Sequence, residues 1–311
     1  MEKIRKVEIV TGFSCNNFCK FCSVRKLNFD KTTQQIKKDI LTVARGHPFE
    51  INFTGGEPTI RKDIFTLISF TKNLGIEEVR VTTNGRMFFY EKFTKTIVDC
   101  GLTGAIFSIH APVKEIHDYL TNVKGSFEQA IKGLRNLREY TDHIDVNVVI
   151  TTKNYKLLPK LAELVIGKYG VRAMCLIFPT IDGNLLNNIY LLPSYEETKD
   201  FVIRALDVIK SLGRTGWVLN MPVCFLSGYE AYSSLSELRT KMIWPDAVVN
   251  LDEQRKRNMK KINVCKDCKF RLVCNGVSKD YLRIKGHKEI KPIRGRLVKS
   301  ISEAYEYSSR V

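Results

Sequence analysis

Val7-Glu8-Ile9-Val10-Thr11-Gly12-Phe13-Ser14-Cys15-Asn16-Asn17-Phe18-Cys19-Lys20-Phe21-Cys22 joins a short alternating, β-branched run to a loop with three cysteines. Alternation of this kind marks a half-buried strand, and residues 7–11 read as one. Similar runs recur at residues 51–54, 79–82, 105–109, 146–150 and 173–177, which makes six strands. Between them the apolar spacing turns helical, at Ile36/Ile40/Val43/Ala44, Ile64/Leu67/Ile68, Phe93/Ile97/Val98, Phe127/Ile131/Leu134/Leu137 and Leu157/Leu161/Leu164/Val165. A sixth helix, Phe201/Ala205/Val208/Ile209/Leu212, follows the last strand. Six alternations of strand and helix specify right-handed crossovers and an α/β parallel sheet, either an open doubly wound sheet or a full or partial barrel. Active residues then belong at the C-terminal strand ends. Residues 11–22, Gly55-Gly56-Glu57-Pro58, Asn84-Gly85 and residues 108–110 all fall there. The rhythm stops near Gly213, which places a boundary between residues 1–212 and a smaller, cysteine-bearing basic segment over 213–292, with a terminal helix or tail over 293–311.

The chain has 311 residues, 44% hydrophobic and 27% charged, enough apolar material for a substantial core. That excludes a disordered tail or a disulfide-stapled miniprotein. No apolar run approaches the roughly 20 residues of a membrane span, and residues 1–5 lead into the first strand without a signal-like stretch, so the expected compartment is the cytoplasm. The formal net charge is +17. Residues 255–299 hold sixteen Lys or Arg against Asp267, Asp280 and Glu289, a surplus of thirteen. Nine cysteines in a reducing compartment point to ligand clusters and not to disulfides.

Cys15, Cys19 and Cys22 place three thiols within eight residues, a spacing that lets one loop wrap three corners of a cubane iron–sulfur cluster and leave one iron open. A zinc knuckle lacking its fourth ligand is the alternative. Gly55 and Gly56 permit close backbone approach. A second set, Cys265-Lys-Asp-Cys268-Lys-Phe-Arg-Leu-Val-Cys274 with Cys224 upstream, supplies four thiols, enough to complete a cluster; the Cys-x2-Cys alone would suit zinc.

C-x3-C-x2-C with Phe21 before its last cysteine, followed by Gly55-Gly56-Glu57-Pro58, resembles the radical S-adenosylmethionine (SAM) superfamily. The resemblance extends over roughly residues 5–212 and implies a partial (β/α)6 TIM-like barrel. It implies that Cys15, Cys19 and Cys22 ligate a 4Fe–4S cluster whose open iron chelates SAM, and that reductive cleavage yields a 5′-deoxyadenosyl radical that abstracts hydrogen from the substrate. It further implies that Gly55 and Gly56 let the backbone approach SAM closely, that the carbonyls and carboxylate at Gly56 and Glu57 accept hydrogen bonds from its ammonium group, that Phe21 packs near adenine, and that Asn84 and Ser108 contact ribose or methionine. The second cysteine set resembles the SPASM and twitch extensions of the same superfamily. This implies a second, auxiliary 4Fe–4S cluster on Cys224, Cys265, Cys268 and Cys274, one cluster where the full SPASM pattern has seven cysteines and two.

Cys100 reads as a small buried hydrophobe. Cys175 lies in the sixth strand and reads as a packed core thiol or, if it faces the lumen, as a thiol that could return a hydrogen atom to a substrate radical, as in radical epimerases. His110 and His117 read as members of a polar loop, or as substrate contacts or acid–base groups. The basic stretch favours an anionic substrate or partner. Only Phe270 and Tyr281 interleave with it, so nucleic acid is not favoured. The reading that collects these features is a radical SAM enzyme that cross-links or epimerises a ribosomally made precursor peptide, with a flavodoxin- or ferredoxin-type electron donor. The reading expects no leader-binding domain before the first strand, which weakens the peptide choice without excluding it. The alternatives are a dehydrogenase or lyase of a small sugar-like metabolite and a non-catalytic iron–sulfur protein that binds RNA.

Overall fold

A computed structural model describes residues 5–24, 29–233, 235 and 240–308. Seven strands, β1 (Lys6–Val10), β2 (Glu50–Thr54), β3 (Glu78–Thr83), β4 (Gly104–Ser108), β5 (Ile144–Val149), β6 (Ala173–Ile177) and β7 (Thr215–Leu219), lie side by side in chain order. All neighbours in that series are parallel. The crossovers are α1 (Thr33–Ala44), α2 (Ile64–Asn73), α3 (Glu91–Asp99), α4 (Lys114–Thr121) with α5 (Ser126–Arg138), α6 (Leu158–Ala162), which continues into a π-helical stretch over Glu163–Lys168, and α7 (Tyr195–Ser211). The sheet curls into a half-barrel, the partial barrel that the sequence implies. Each predicted strand and helix is present; α4 is an addition.

The sheet continues past Gly213, and here the sequence reading is corrected. β7 pairs with β6, and β8 (Thr240–Ile243) lies parallel to β1 on the other edge, followed by antiparallel β9 (Val248–Asn250). The cysteine-bearing segment comes after α8 (Leu251–Asn258) and is framed by a two-stranded ladder of β10 (Met259–Lys260) and β11 (Val277–Ser278). α9 (Lys279–Lys285) and α10 (Ile301–Ser308) close the chain; the predicted terminal helix is present, and residues 309–311 lie outside the described residues.

Side-chain alternation divides the sheet. Val7, Ile9, Ile51, Phe53, Val79, Val81, Phe107, Val146, Met174 and Leu176 belong to the main hydrophobic core under the helices. Their neighbours, Lys6, Glu8, Glu50, Asn52, Arg80, Ser108, Asp145, Asn147, Cys175 and Trp217, therefore face the lumen. α1 shows why the helices stay on the outside: Thr32 and Gln35 form a reciprocal capping box at its start, and Ile36 and Ile40 are fully buried, each worth about 1.5–3 kcal/mol. The N-terminal end of the lumen is closed by ion pairs. Lys6 meets Glu8 at 3.2 Å and Glu50 at 3.3 Å; Arg80 and Arg172 meet Asp145 at 2.6 and 2.9 Å. Burial opposes ionisation of Asp145, yet the two guanidiniums hold its carboxyl below the usual carboxylate range.

A second, small core of Val223, Leu235, Cys268, Phe270, Val298 and Ala304 lies under the C-terminal cysteines. Tyr281 of α9 ties this region to the barrel, its ring 4.0 Å from that of Tyr195 at the start of α7. Among the described residues no helix is long and apolar enough to cross a membrane.

Candidate functional site

The three-cysteine loop follows β1 at the C-terminal mouth of the barrel and is held by elements distant in sequence. Arg61 donates to the Thr11 carbonyl at 3.1 Å and to the Lys31 carbonyl at 3.0 Å, so one guanidinium clamps both flanks of the loop. Phe18 and Lys20 donate main-chain hydrogen bonds to the carbonyls of Thr121 and Leu120 at the end of α4, each 3.0 Å. Arg86 bonds the Asn16 carbonyl and, at 3.0 Å, the Asn17 side chain. Asn184 donates its main-chain N–H to the Cys22 carbonyl and its amide to the Cys19 carbonyl, both at 2.8 Å. Gly183 precedes it with φ +57°, and a Cβ there would stand 2.5 Å from the Cys22 carbonyl oxygen, so glycine is required for the contact. Arg61, Arg86, Gly183 and Asn184 were not predicted. Their signal is spatial only.

The thiols of Cys15, Cys19 and Cys22 are half-buried and act on one another electrostatically. Burial pushes the Cys15 thiol up to about 11 and the Cys19 thiol further. The Asn17 main-chain N–H and the Asn84 amide point at the Cys15 sulfur, at 3.4 and 4.0 Å. Donors aimed at sulfur suit a thiolate, so the loop fits a cluster that takes three anionic sulfurs. Metal loading displaces the thiol protons.

Gly55-Gly56-Glu57-Pro58 lies beside this loop. Gly56 and Glu57 donate their main-chain N–H groups to the carbonyls of Gly12 and Ser14, both 2.8 Å. A Cβ on Gly56 would stand 2.2 Å from the Ser14 oxygen. The Glu57 side chain is buried and receives four donors from the chain itself: the Thr59 N–H (3.0 Å) and hydroxyl (2.6 Å) and the Thr83 hydroxyl (2.8 Å) at Oε1, and the Asn84 N–H (2.6 Å) at Oε2. Burial pushes its carboxyl up against the pull of these donors. Glu57 therefore ties the turn after β2 to the end of β3, its carboxylate taken up by the chain itself. Asn84 reaches across to Asn16 at 2.6 Å. Ser108 ends β4, level with Asn147 on β5. The predicted residues Cys15, Cys19, Cys22, Gly55, Gly56, Glu57 and Asn84 thus converge at one mouth.

Phe21 is nearly buried, its ring in edge contact with His110 at 4.6 Å. His110 and His117 are not a polar loop, and the sequence reading is corrected there too. Both are buried and stacked 5.7 Å apart; His117 Nδ1 accepts the His110 N–H (3.2 Å) and His110 Nδ1 accepts the Val149 N–H (3.3 Å). Burial drives His117 down to about 4 and His110 well below its ordinary value, so both are neutral acceptors. Cys100 caps α3, half-buried and packed on the core.

Cys224, Cys265, Cys268 and Cys274 line one cavity of about 400 Å³ together with Phe270 and Pro292. Burial pushes Cys224 up to about 12, and each of the other three thiols raises it further; Cys274 is also raised. Among the described residues no three Cys, His, Asp or Glu side chains close on a single-ion point, and these four thiols instead surround a space. Cys175 is buried and, by strand alternation, on the lumen side of β6 opposite Trp217, within the fields of Lys6, Asp145 and Arg255; burial pushes its thiol far up.

A curled parallel sheet with three thiols at its C-terminal mouth and a glycine-rich turn beside them defines a class of cluster-bearing barrel enzymes. The sequence pattern of the Radical SAM superfamily matches residues 9–165, and the chain belongs to that family, whose enzymes use a 4Fe–4S cluster and SAM. It is 32% identical over 158 residues to the AdoMet-dependent heme synthase of Oleidesulfovibrio alaskensis, covering 48% of this chain and 40% of the relative. It is 30% identical over 166 residues to the probable GTP 3′,8-cyclase of Saccharolobus solfataricus, covering 52% and 53%. The chain thus spans about half or less of the curated relatives it matches. Its fold is similar to Streptococcus suis SuiB bound to S-adenosylmethionine (TM-score 0.64, 15% identity, 96% of this chain and 78% of that one). It is also similar to anSMEcpe with bound AdoMet (TM-score 0.61, 16% identity, 98% and 97%).

Proposed function

We propose that Cys15, Cys19 and Cys22 hold the SAM-cleaving 4Fe–4S cluster, that Cys224, Cys265, Cys268 and Cys274 hold an auxiliary 4Fe–4S cluster, and that the enzyme cross-links or epimerises a ribosomally made precursor peptide. The observation that carries the reading is the meeting of all four C-terminal thiols at one cavity beside a barrel whose mouth holds the other three. Four protein ligands leave no open iron, so this second site serves electron transfer or structure. The peptide substrate is supported by the likeness of nearly the whole chain to SuiB, solved with precursor peptide SuiA, and to anSMEcpe, solved with Cp18Cys peptide.

Cluster and SAM together supply reductive cleavage of a sulfur–carbon bond and a radical that abstracts hydrogen; a flavodoxin- or ferredoxin-type donor provides the electron. The chain's own residues orient that event. Glu57 fixes the turn whose Gly55 and Gly56 carbonyls accept the SAM ammonium group, Asn84 and Ser108 border the ribose and methionine, and Phe21, braced by His110, flanks adenine. In this reading the Cys175 thiol, on the lumen side of β6, returns a hydrogen atom to the substrate radical. The family is enzymatic, which sets the non-catalytic RNA-binding reading aside, and Phe270 and Tyr281 are buried in their cores, where they offer no stacking platform.

A small-metabolite substrate is the second reading, favoured by the match of the N-terminal half to probable GTP 3′,8-cyclases. The two separate by tracing. Reconstituted enzyme with dithionite and SAM is given peptides built from deuterated residues, or deuterated sugars and nucleotides. Deuterium in 5′-deoxyadenosine from peptide alone supports the reading; transfer from a small metabolite and from no peptide overturns it. For epimerisation, the Cys175→Ala variant loses solvent deuterium from the product.

A further inference from the structure

Of the sixteen cations between residues 255 and 299, all are exposed except Lys269 and Arg255. Lys269 lies over the Phe270 ring. Arg255 does something different. It stands on α8, and the charged or titratable groups that act on it electrostatically are Asp252 of its own helix and the lumen-facing Cys175 and Glu8. It also lines a cavity of about 570 Å³ together with Asn220, Asp252, Lys256, Cys274 and Asn275. The cavity therefore runs between Cys274 of the four-thiol site and the arginine that overlooks Cys175.

Among the described residues no carboxylate lies within ion-pair distance of the Arg255 guanidinium. Glu8 is already paired with Lys6 at 3.2 Å, and Asp252 acts on Arg255 only through its field. This contrasts with Arg80 and Arg172, the other guanidiniums of the lumen, which share Asp145. A half-buried guanidinium with no ion-pair partner among the described residues presents five donors in a planar fork, which match the two oxygens of a carboxylate or the oxygens of a phosphate. Among the described residues that line the cavity, Asp252, Arg255 and Lys256 are the charged ones.

We propose that Arg255 anchors an oxyanion of the substrate, in a peptide the carboxylate of an acidic side chain or C-terminus, inside the cavity between the lumen and the C-terminal cysteines. Anchored there, the substrate extends from beside Cys274 toward Cys175 and the SAM mouth. The inference rests on the reading of the chain as a substrate-modifying radical SAM enzyme, and it names the chemistry that its substrate must carry.

The test is equilibrium dialysis of the reconstituted holoenzyme against acetyl-glutamate-amide, its uncharged glutamine counterpart and inorganic phosphate, with 5′-deoxyadenosine formation followed in parallel on the wild type. The expected result is saturable binding of the glutamate probe, no binding of the glutamine probe, at least a tenfold weaker Kd in R255Q and partial recovery in R255K. Phosphate binding with the same dependence on Arg255 assigns the oxyanion to a phosphorylated substrate. Glutamate binding that is indifferent to R255Q, or no anion binding in a sample that still forms 5′-deoxyadenosine, overturns the anchor while the enzyme class stands. Absence of 5′-deoxyadenosine from the wild type removes the underlying reading instead. Iron content and Tm of R255Q and R255K separate loss of binding from loss of fold.

Discussion

The two cysteine sites gather their thiols in opposite ways. At the barrel mouth three thiols come from eight consecutive residues, and the rest of the molecule is used to hold that loop: Arg61, Arg86, Asn184 and the end of α4 all bond its main chain. At the C-terminal site four thiols come from two separate segments, and a small core of Phe270, Val223, Val298 and Ala304 brings them together. The first site is a local motif fastened by remote residues. The second is a remote assembly whose geometry depends on its own folding. Metal binding should therefore couple weakly to fold at the first site and strongly at the second.

Breaking the comparison at each site should give different failures. Cys19→Ala is expected to reduce 5′-deoxyadenosine formation to background while the barrel stays folded and the C-terminal iron is retained, as read by circular dichroism and iron assay. Cys268→Ser removes a thiol of the proposed second cluster that is also part of the small core, so it should cost the second portion of iron and lower Tm by on the order of 5–10 °C. A large Tm loss in the first variant and none in the second would reverse the assignment.

The buried histidines sharpen the picture of how the loop is backed. His117 stays neutral in the folded chain down to about pH 4, whereas the unfolded chain takes up that proton near 6.5. Between these values the unfolded state binds more protons, so the contribution is complete above about pH 6.5 and drains as pH falls toward 4, roughly 3 kcal/mol in all. Urea denaturation across this range should show the slope, and His117→Gln should flatten it. The smallest effect is expected from Asn184→Ala. It removes one side-chain hydrogen bond to the Cys19 carbonyl, about 1 kcal/mol, and should speed chelator extraction of the N-terminal iron several-fold with little change in Tm.

Much of this was legible in the sequence where the signal is local. Six strands and their helices follow from apolar period, and the three-cysteine loop from spacing alone. β7 escaped because Thr215-Gly-Trp-Val-Leu219 carries a glycine and one exposed end, and β8 because Thr240-Lys-Met-Ile243 is too short to show alternation. α4 offers only Ile116 and Leu120 as apolar anchors. The histidines read as polar because sequence shows the side chain and not the main-chain N–H groups that each accepts. Asn184 lies more than 160 residues from the loop it pins, a contact that no spacing rule announces.

The most direct test of the central claim is anaerobic reconstitution with iron and sulfide, counting iron per chain in the wild type, in a variant lacking Cys15, Cys19 and Cys22, and in one lacking Cys265, Cys268 and Cys274. Two independent clusters predict about eight, four and four irons, with 5′-deoxyadenosine formation lost when the N-terminal set is removed. About four irons in the wild type that persist without Cys15, Cys19 and Cys22, and no cleavage of SAM, would contradict the account.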